Sequence, residues 1–231
     1  MKTLDFFDVA YEELPLDTKE IYLLMGYNNH LPDSRVTELV ECILDELRPL
    51  VVPRCGYILQ QGEVEGKEHL RIGNTLFNPG RIITFAMKDA SFYAFFTATI
   101  GNQFDEYCKR LKEKDDILSS FIADAIGSIL AETTVTWLMR ELTGIVEEEG
   151  MKISNNYSPG YCDWALAEQK KLFGLFPEDI TGVCLTSSSL MLPIKSVSGI
   201  VAIGSEVQKR AYSCNICKMT TCVRNRKMRD I

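Results

Sequence analysis

Apolar residues recur at helical spacing early in the chain, at Val36, Leu39, Val40, Ile43, Leu44 and Leu47. This predicts an amphipathic helix with one face in the core. Asp33 and Ser34 can cap its start, and Pro49 and Pro53 end it. The period then changes. Residues 57–61 read as β, 62–66 as a polar turn and 70–76 as a second apolar segment, so this stretch predicts a hairpin. Pro79 and Gly80 open a short helix through Met87. Residues 91–100 are rich in aromatic and β-branched side chains and predict a buried strand, broken by Gly101.

In the second half, residues 105–114 form a polar helical pattern. Residues 116–142 predict a long helix with Ile117, Phe121, Ala125, Ile129 and Leu130 turned inward, its end bracketed by Gly144 and Gly150. A further helix is predicted over 164–173, stopped near Gly174 and Pro177, and strands over 180–186 and 194–203. No internal repeat or low-complexity segment interrupts the pattern. The expected organisation is one α+β domain, residues 1–212, followed by a basic cysteine-containing tail, residues 213–231.

Composition narrows the function classes. With 231 residues, 46% of them hydrophobic, the chain can fill one sizeable core. A net charge of −7 argues against general affinity for nucleic acid. The charge is unevenly spread: residues 212–231 carry five basic residues and one acid, leaving the body at about −11 and the tail at +4. The first residues include Asp5 and Asp8 where a signal peptide needs an apolar stretch, and no apolar run reaches membrane-spanning length, so a cytoplasmic protein without a membrane partner is expected. In that compartment the eight cysteines are better read as buried thiols, metal ligands or redox groups than as disulfides. Cys42, Cys55, Cys108, Cys162 and Cys184 are scattered, whereas Cys214, Cys217 and Cys222 form a CxxCxxxxC cluster.

Two segments carry the candidate chemistry. The first, Asn156-Tyr157-Ser158-Pro159-Gly160-Tyr161-Cys162-Asp163, is a Pro-Gly turn flanked by aromatics, able to present backbone polar groups to a ligand. The second is Met191-Leu192-Pro193-Ile194-Lys195-Ser196-Val197-Ser198-Gly199. Before them come Met25-Gly26-Tyr27, the turn Ala98-Thr99-Ile100-Gly101, and the helical stretch from Asp124 through Ala131 to Glu132. In order and spacing, from about residue 20 to 205, these segments resemble the activation domain of cobalamin-dependent methionine synthase and its standalone relatives.

The resemblance implies an α+β fold with a curved, mainly antiparallel sheet packed by helices, and binding of S-adenosylmethionine. It places Asn156, Tyr157, Ser158, Gly160 and Tyr161 at the ligand, with Glu132 on the matching helix and Tyr212 standing loosely for the paired tyrosines of the large enzymes. At the position of Asn156 the family carries an arginine for the methionine carboxylate, a role suited to a guanidinium fork. Asparagine brings no charge, so another cation has taken over, affinity has fallen, or the ligand differs. The function implied is reactivation: after one-electron reduction of cob(II)alamin on a separate methionine synthase or other corrinoid protein, the ligand's methyl group passes to cob(I)alamin. The cobalamin is carried by that partner, and the electron could come from a flavodoxin-like reductant. The task of such a domain is positioning rather than acid–base chemistry.

Other chemistries fit less well. No Gly-rich fingerprint follows a strand as in dinucleotide-binding folds. His30 and His69 are isolated, and Ser187-Ser188-Ser189 lacks the strand–turn–helix elbow of a nucleophile. Cys214, Cys217 and Cys222 can converge on zinc or an iron–sulfur cluster, but a fourth ligand is missing locally, and a zinc knuckle would want cysteine where Lys227 stands. The alternative expectation is therefore a metal- or iron–sulfur-binding redox or interaction protein whose S-adenosylmethionine groove has decayed.

Overall fold

A computed structural model describes residues 3–28, 30–177 and 180–210. Along the chain, β1 (Leu4–Asp8) leads to α1 (Thr18–Leu24), α2 (Ser34–Leu47) and β2 (Arg54–Gln60). Three short strands follow, β3 (Gly62–Glu65), β4 (His69–Ile72) and β5 (Thr75–Phe77), then α3 (Gly80–Ala86) and β6 (Phe92–Thr99). The second half contains α4 (Asn102–Glu113), α5 (Ile117–Glu147), β7 (Lys152–Ile153), α6 (Gln169–Phe173), β8 (Cys184–Leu185), β9 (Met191–Leu192) and β10 (Ser196–Gly204).

The main sheet is antiparallel with order β1-β2-β6-β10-β7, and matches the expected curled, helix-packed α+β fold. Its central strands are buried on both faces, which is why β6 reads as an unbroken apolar run rather than an alternation. On one face Ala94, Phe96 and Ala98 of β6 join Cys55, Tyr57 and Leu59 of β2 and Val201 and Ile203 of β10 against the helical layer of α1, α2, α4 and α5. On the other, Tyr93, Phe95, Ile58 and Ile200 pack with Leu70, Ile72, Phe77, Ile83, Trp164 and Leu172, under the small β3–β4–β5 sheet and the short helices α3 and α6. Burial in the first core pushes the Cys55 thiol up to about 12, with Glu141 adding to the shift, so this cysteine is a packing residue and a poor nucleophile.

Helix starts follow local chemistry. The Asp33 carboxylate accepts from Val36 N at 2.9 Å, and Asp116 accepts from Ser119 N at 3.0 Å, each occupying an otherwise orphaned amide of a first turn. The Ser119 amide, helped by its hydroxyl, holds the Asp116 carboxyl below the usual carboxylate range.

Several expectations need correction. Ile117 and Phe121 are exposed, while Ile122, Ala125, Ile126, Leu130 and Leu138 form the buried stripe of α5. In the same turns Ser119, Ile122 and Ala123 are buried, so packing rather than periodicity decides which of two stripes is covered. The helix continues to Glu147 through Gly144, beyond residue 142. Ile117–Glu147 is also long and apolar enough by composition to cross a bilayer, contrary to expectation, although half of its most apolar window is buried within the protein. The turn assigned to residues 62–66 is itself the strand β3, paired with β4, and β2 pairs instead with β6. The helix expected over 164–173 is a 3-10 turn at Leu166–Glu168 followed by α6, and the strand expected over 180–186 shrinks to β8.

Candidate functional site

The two motif segments, about thirty residues apart in sequence, meet edge to edge. Tyr157 N donates to Ile200 O at 3.0 Å and Ile200 N to Tyr157 O at 2.8 Å, just beyond the Ser198-Gly199 end of the second motif. Gly199 makes this approach feasible, because a Cβ there would lie 2.4 Å from the Tyr157 carbonyl oxygen and 2.7 Å from the Phe96 ring. One register step earlier, Ser154 N donates to Ala202 O at 2.9 Å and Ala202 N donates to Ser154 Oγ at 3.0 Å. A hydroxyl thus replaces a backbone acceptor and lets the strand leave the sheet edge gradually.

The helical motif is tied to the same place. Asp124, Ser128, Glu132 and Thr136 are spaced four apart and fall along one side of α5. The first two hold the second motif, since Lys195 Nζ donates to Asp124 Oδ1 at 2.7 Å and to Ser128 Oγ at 2.9 Å. The next two face a groove of about 190 Å³ whose walls are Glu132, Val135, Thr136 and Met139 of α5, the segment Ile153, Ser154, Asn155 and Asn156, and Lys209. The structure therefore brings together Glu132 and Asn156, two residues singled out in the sequence. Ser154, Asn155, Thr136, Met139 and Lys209 were missed. The spacing of Val135, Thr136 and Met139 from Glu132 would have placed them on its face, but no local signal points to Lys209.

The Pro-Gly loop lies beyond the groove walls. Gly160, at φ 95°, donates its N–H to Trp164 O at 2.7 Å, Tyr161 N donates to Ser158 O at 3.2 Å, and Trp164 N returns to Tyr161 O at 2.9 Å. The amides of Gly160 and Tyr161 thus close the turn on itself. The Tyr157 ring is buried in the second core, whereas the Tyr161 ring is half exposed at 52%. Trp164 packs edge-on to Phe77 and donates its indole N–H to Glu168 at 3.3 Å; Glu168 also accepts from Asn78 N at 2.7 Å and pairs with Lys171. Burial alone would raise the Glu168 pKa, but the bonds from Lys171, Asn78 and Trp164 outweigh it and hold the carboxyl below its ordinary 4.5.

A pH dependence follows. Because the folded-state pKa lies below the unfolded one, this anchor stabilises the fold above the unfolded value and loses that contribution as pH falls below about 4.5 and through the folded value. A Glu168→Gln variant is expected to be less stable at neutral pH and to differ little from the parent in acid. Urea denaturation across that range checks this, with Trp164 fluorescence as the readout; an unchanged neutral-pH midpoint would count against the anchor.

Tyr212, Cys214, Cys217 and Cys222 lie outside the described residues, as does the division at residue 212. Among the described residues no group of three or more histidine, cysteine or acidic side chains is placed to hold a metal ion.

Residues 82–222 match the family described as vitamin B12 dependent methionine synthase, activation domain. The chain belongs to that family. A structural counterpart is the MetH reactivation domain bound to AdoHcy, superposing with a TM-score of 0.69 over 90% of this chain and 80% of that one at 17% identity. At that identity the match establishes the activation-domain fold. Within the family match fall β6, α5, both motif segments and every described residue of the groove.

Proposed function

We propose that the chain is an activation module that binds S-adenosylmethionine and presents its methyl group to the cobalt of a separate corrinoid partner, a methionine synthase or a related protein. The observation that carries this reading is the groove where Glu132 of α5 faces the Asn156 segment, inside a chain of the activation-domain family. The counterpart of the same fold is described as bound to AdoHcy, the demethylated form of this ligand. At about 190 Å³ the groove is smaller than the roughly 300–1,000 Å³ that encloses a whole drug-sized ligand. It would take one end, with the rest lying over the surface.

In this arrangement the Glu132 carboxylate accepts hydrogen bonds from the ligand's ammonium, and Asn155 and Asn156 line the same groove with their amides. Val135, Met139 and Ile153 exclude water from the methylene chain. A reduced corrinoid on the partner would supply the nucleophile for the methyl group, with a flavodoxin-like reductant as the electron source and S-adenosylhomocysteine as the other product. The chain's own contribution is orientation.

The reading is tested by calorimetric titration with S-adenosylmethionine and S-adenosylhomocysteine. It is then tested by methyl transfer from labelled S-adenosylmethionine to a reduced corrinoid protein with and without the chain. Saturable binding of both ligands and chain-dependent transfer are the expected results. Absence of binding overturns the proposal.

A further inference from the structure

The groove is electrically asymmetric. Of the described residues on its walls, only Glu132 and Lys209 carry formal charge, and they come from different elements: the long helix and the segment that follows β10. A groove offering one carboxylate and one ammonium suits a ligand end that bears both opposite charges on a single carbon, which is an α-amino acid group. Asn156, which lines the same groove, offers an amide and no charge.

Lys209 is an exposed side chain on a fixed backbone. Before it, Val207 is 2% exposed in the second core, and its N–H turns back to Gly204 O at 3.4 Å. After it, the Arg210 carbonyl accepts from Asn155 Nδ2 at 2.5 Å, and the Arg210 guanidinium lies over the Phe85 ring at 4.8 Å. The two neighbours pin the segment, and Asn155, itself part of the groove wall, ties it to the Asn156 side. We propose that Lys209 is the cation of this site: its ammonium binds the carboxylate of the ligand's amino-acid end, the charge that Asn156 cannot supply, and thereby selects zwitterionic over decarboxylated ligands. This inference rests on the reading of the groove as the S-adenosylmethionine site.

The test compares the wild-type chain, Lys209→Met and Lys209→Arg by titration with S-adenosylmethionine and with its decarboxylated analogue, which keeps the sulfonium and the adenosine. Loss of one charge-assisted contact predicts that Lys209→Met weakens S-adenosylmethionine binding roughly ten- to hundred-fold, leaves the decarboxylated analogue unchanged, and removes the wild-type preference between the two. Lys209→Arg should stay within a few-fold of wild type. If Lys209→Met binds S-adenosylmethionine as tightly as wild type, or loses both ligands equally, the assignment of Lys209 is wrong while the groove remains the site. If the wild-type chain binds neither ligand, the reading of the groove fails and takes this inference with it.

Discussion

Gly199→Ala is expected to destabilise the protein by about 3 kcal/mol or more, lowering Tm by roughly 6–12 °C. The reason is where the new methyl would go: 2.4 Å from the Tyr157 carbonyl oxygen and 2.7 Å from the Phe96 ring. Neither neighbour can yield cheaply. The carbonyl is half of the reciprocal Tyr157–Ile200 hydrogen-bond pair, and Phe96 is fully buried between β2 and β10. Relief requires the 153–157 segment to peel from the sheet, costing about 1 kcal/mol for each hydrogen bond released in addition to the overpacking. Because that segment is a wall of the groove, ligand affinity should fall in parallel. Gly144→Ala makes the control with the opposite sign, since nothing lies within 4 Å of a Cβ there and the residue sits inside α5; it should stabilise by about 0.4–1 kcal/mol. Thermal denaturation of both variants checks the pair. A Gly199→Ala protein as stable as its parent would show that the two motif segments do not meet as described.

Glu132→Lys should weaken S-adenosylmethionine binding by about a hundred-fold, and Glu132→Gln by about ten-fold. The first replaces an acceptor for the ligand's ammonium by a second cation in a groove that already contains Lys209. The second keeps hydrogen-bonding capacity and removes only the charge. Glu132 lies toward solvent, so the electrostatic part of both effects should shrink with added salt, and titration at two ionic strengths measures it. Unaltered affinity in Glu132→Lys would remove the groove as the ligand site.

Much of the frame was legible from local pattern. The α2 stripe, its Asp33 cap, the continuous apolar run of β6 and the Asp116 start of α5 all appear in the structure within a few residues of expectation. These features depend on periodicity and on short-range capping, which act over one or two turns. The hairpin expected after β2 failed for the complementary reason. A strand's partner is set by which edge is open in three dimensions, and β6, more than thirty residues on, claims β2. Ile117 and Phe121 failed similarly: they obey the helical period, but the covered face of that stretch of α5 is the one that carries Ser119, Ile122 and Ala123.

The site divides along the same line. By itself the sequence, through the order of its motifs, pointed to both Glu132 and Asn156, and these two line one groove. It also determined that position 156 holds an uncharged asparagine. Only the tertiary structure decided that the Pro-Gly turn spends its Gly160 and Tyr161 amides on its own closure, that Gly199 permits the Tyr157 backbone to close on β10, and that Lys209 lines the same groove as Glu132. Lys209 reaches that groove through contacts between residues dozens of positions apart, Arg210 with Phe85 and with Asn155. Such contacts leave no periodicity in the chain, since they arise from the packing of elements whose separation in sequence is unrelated to their separation in space.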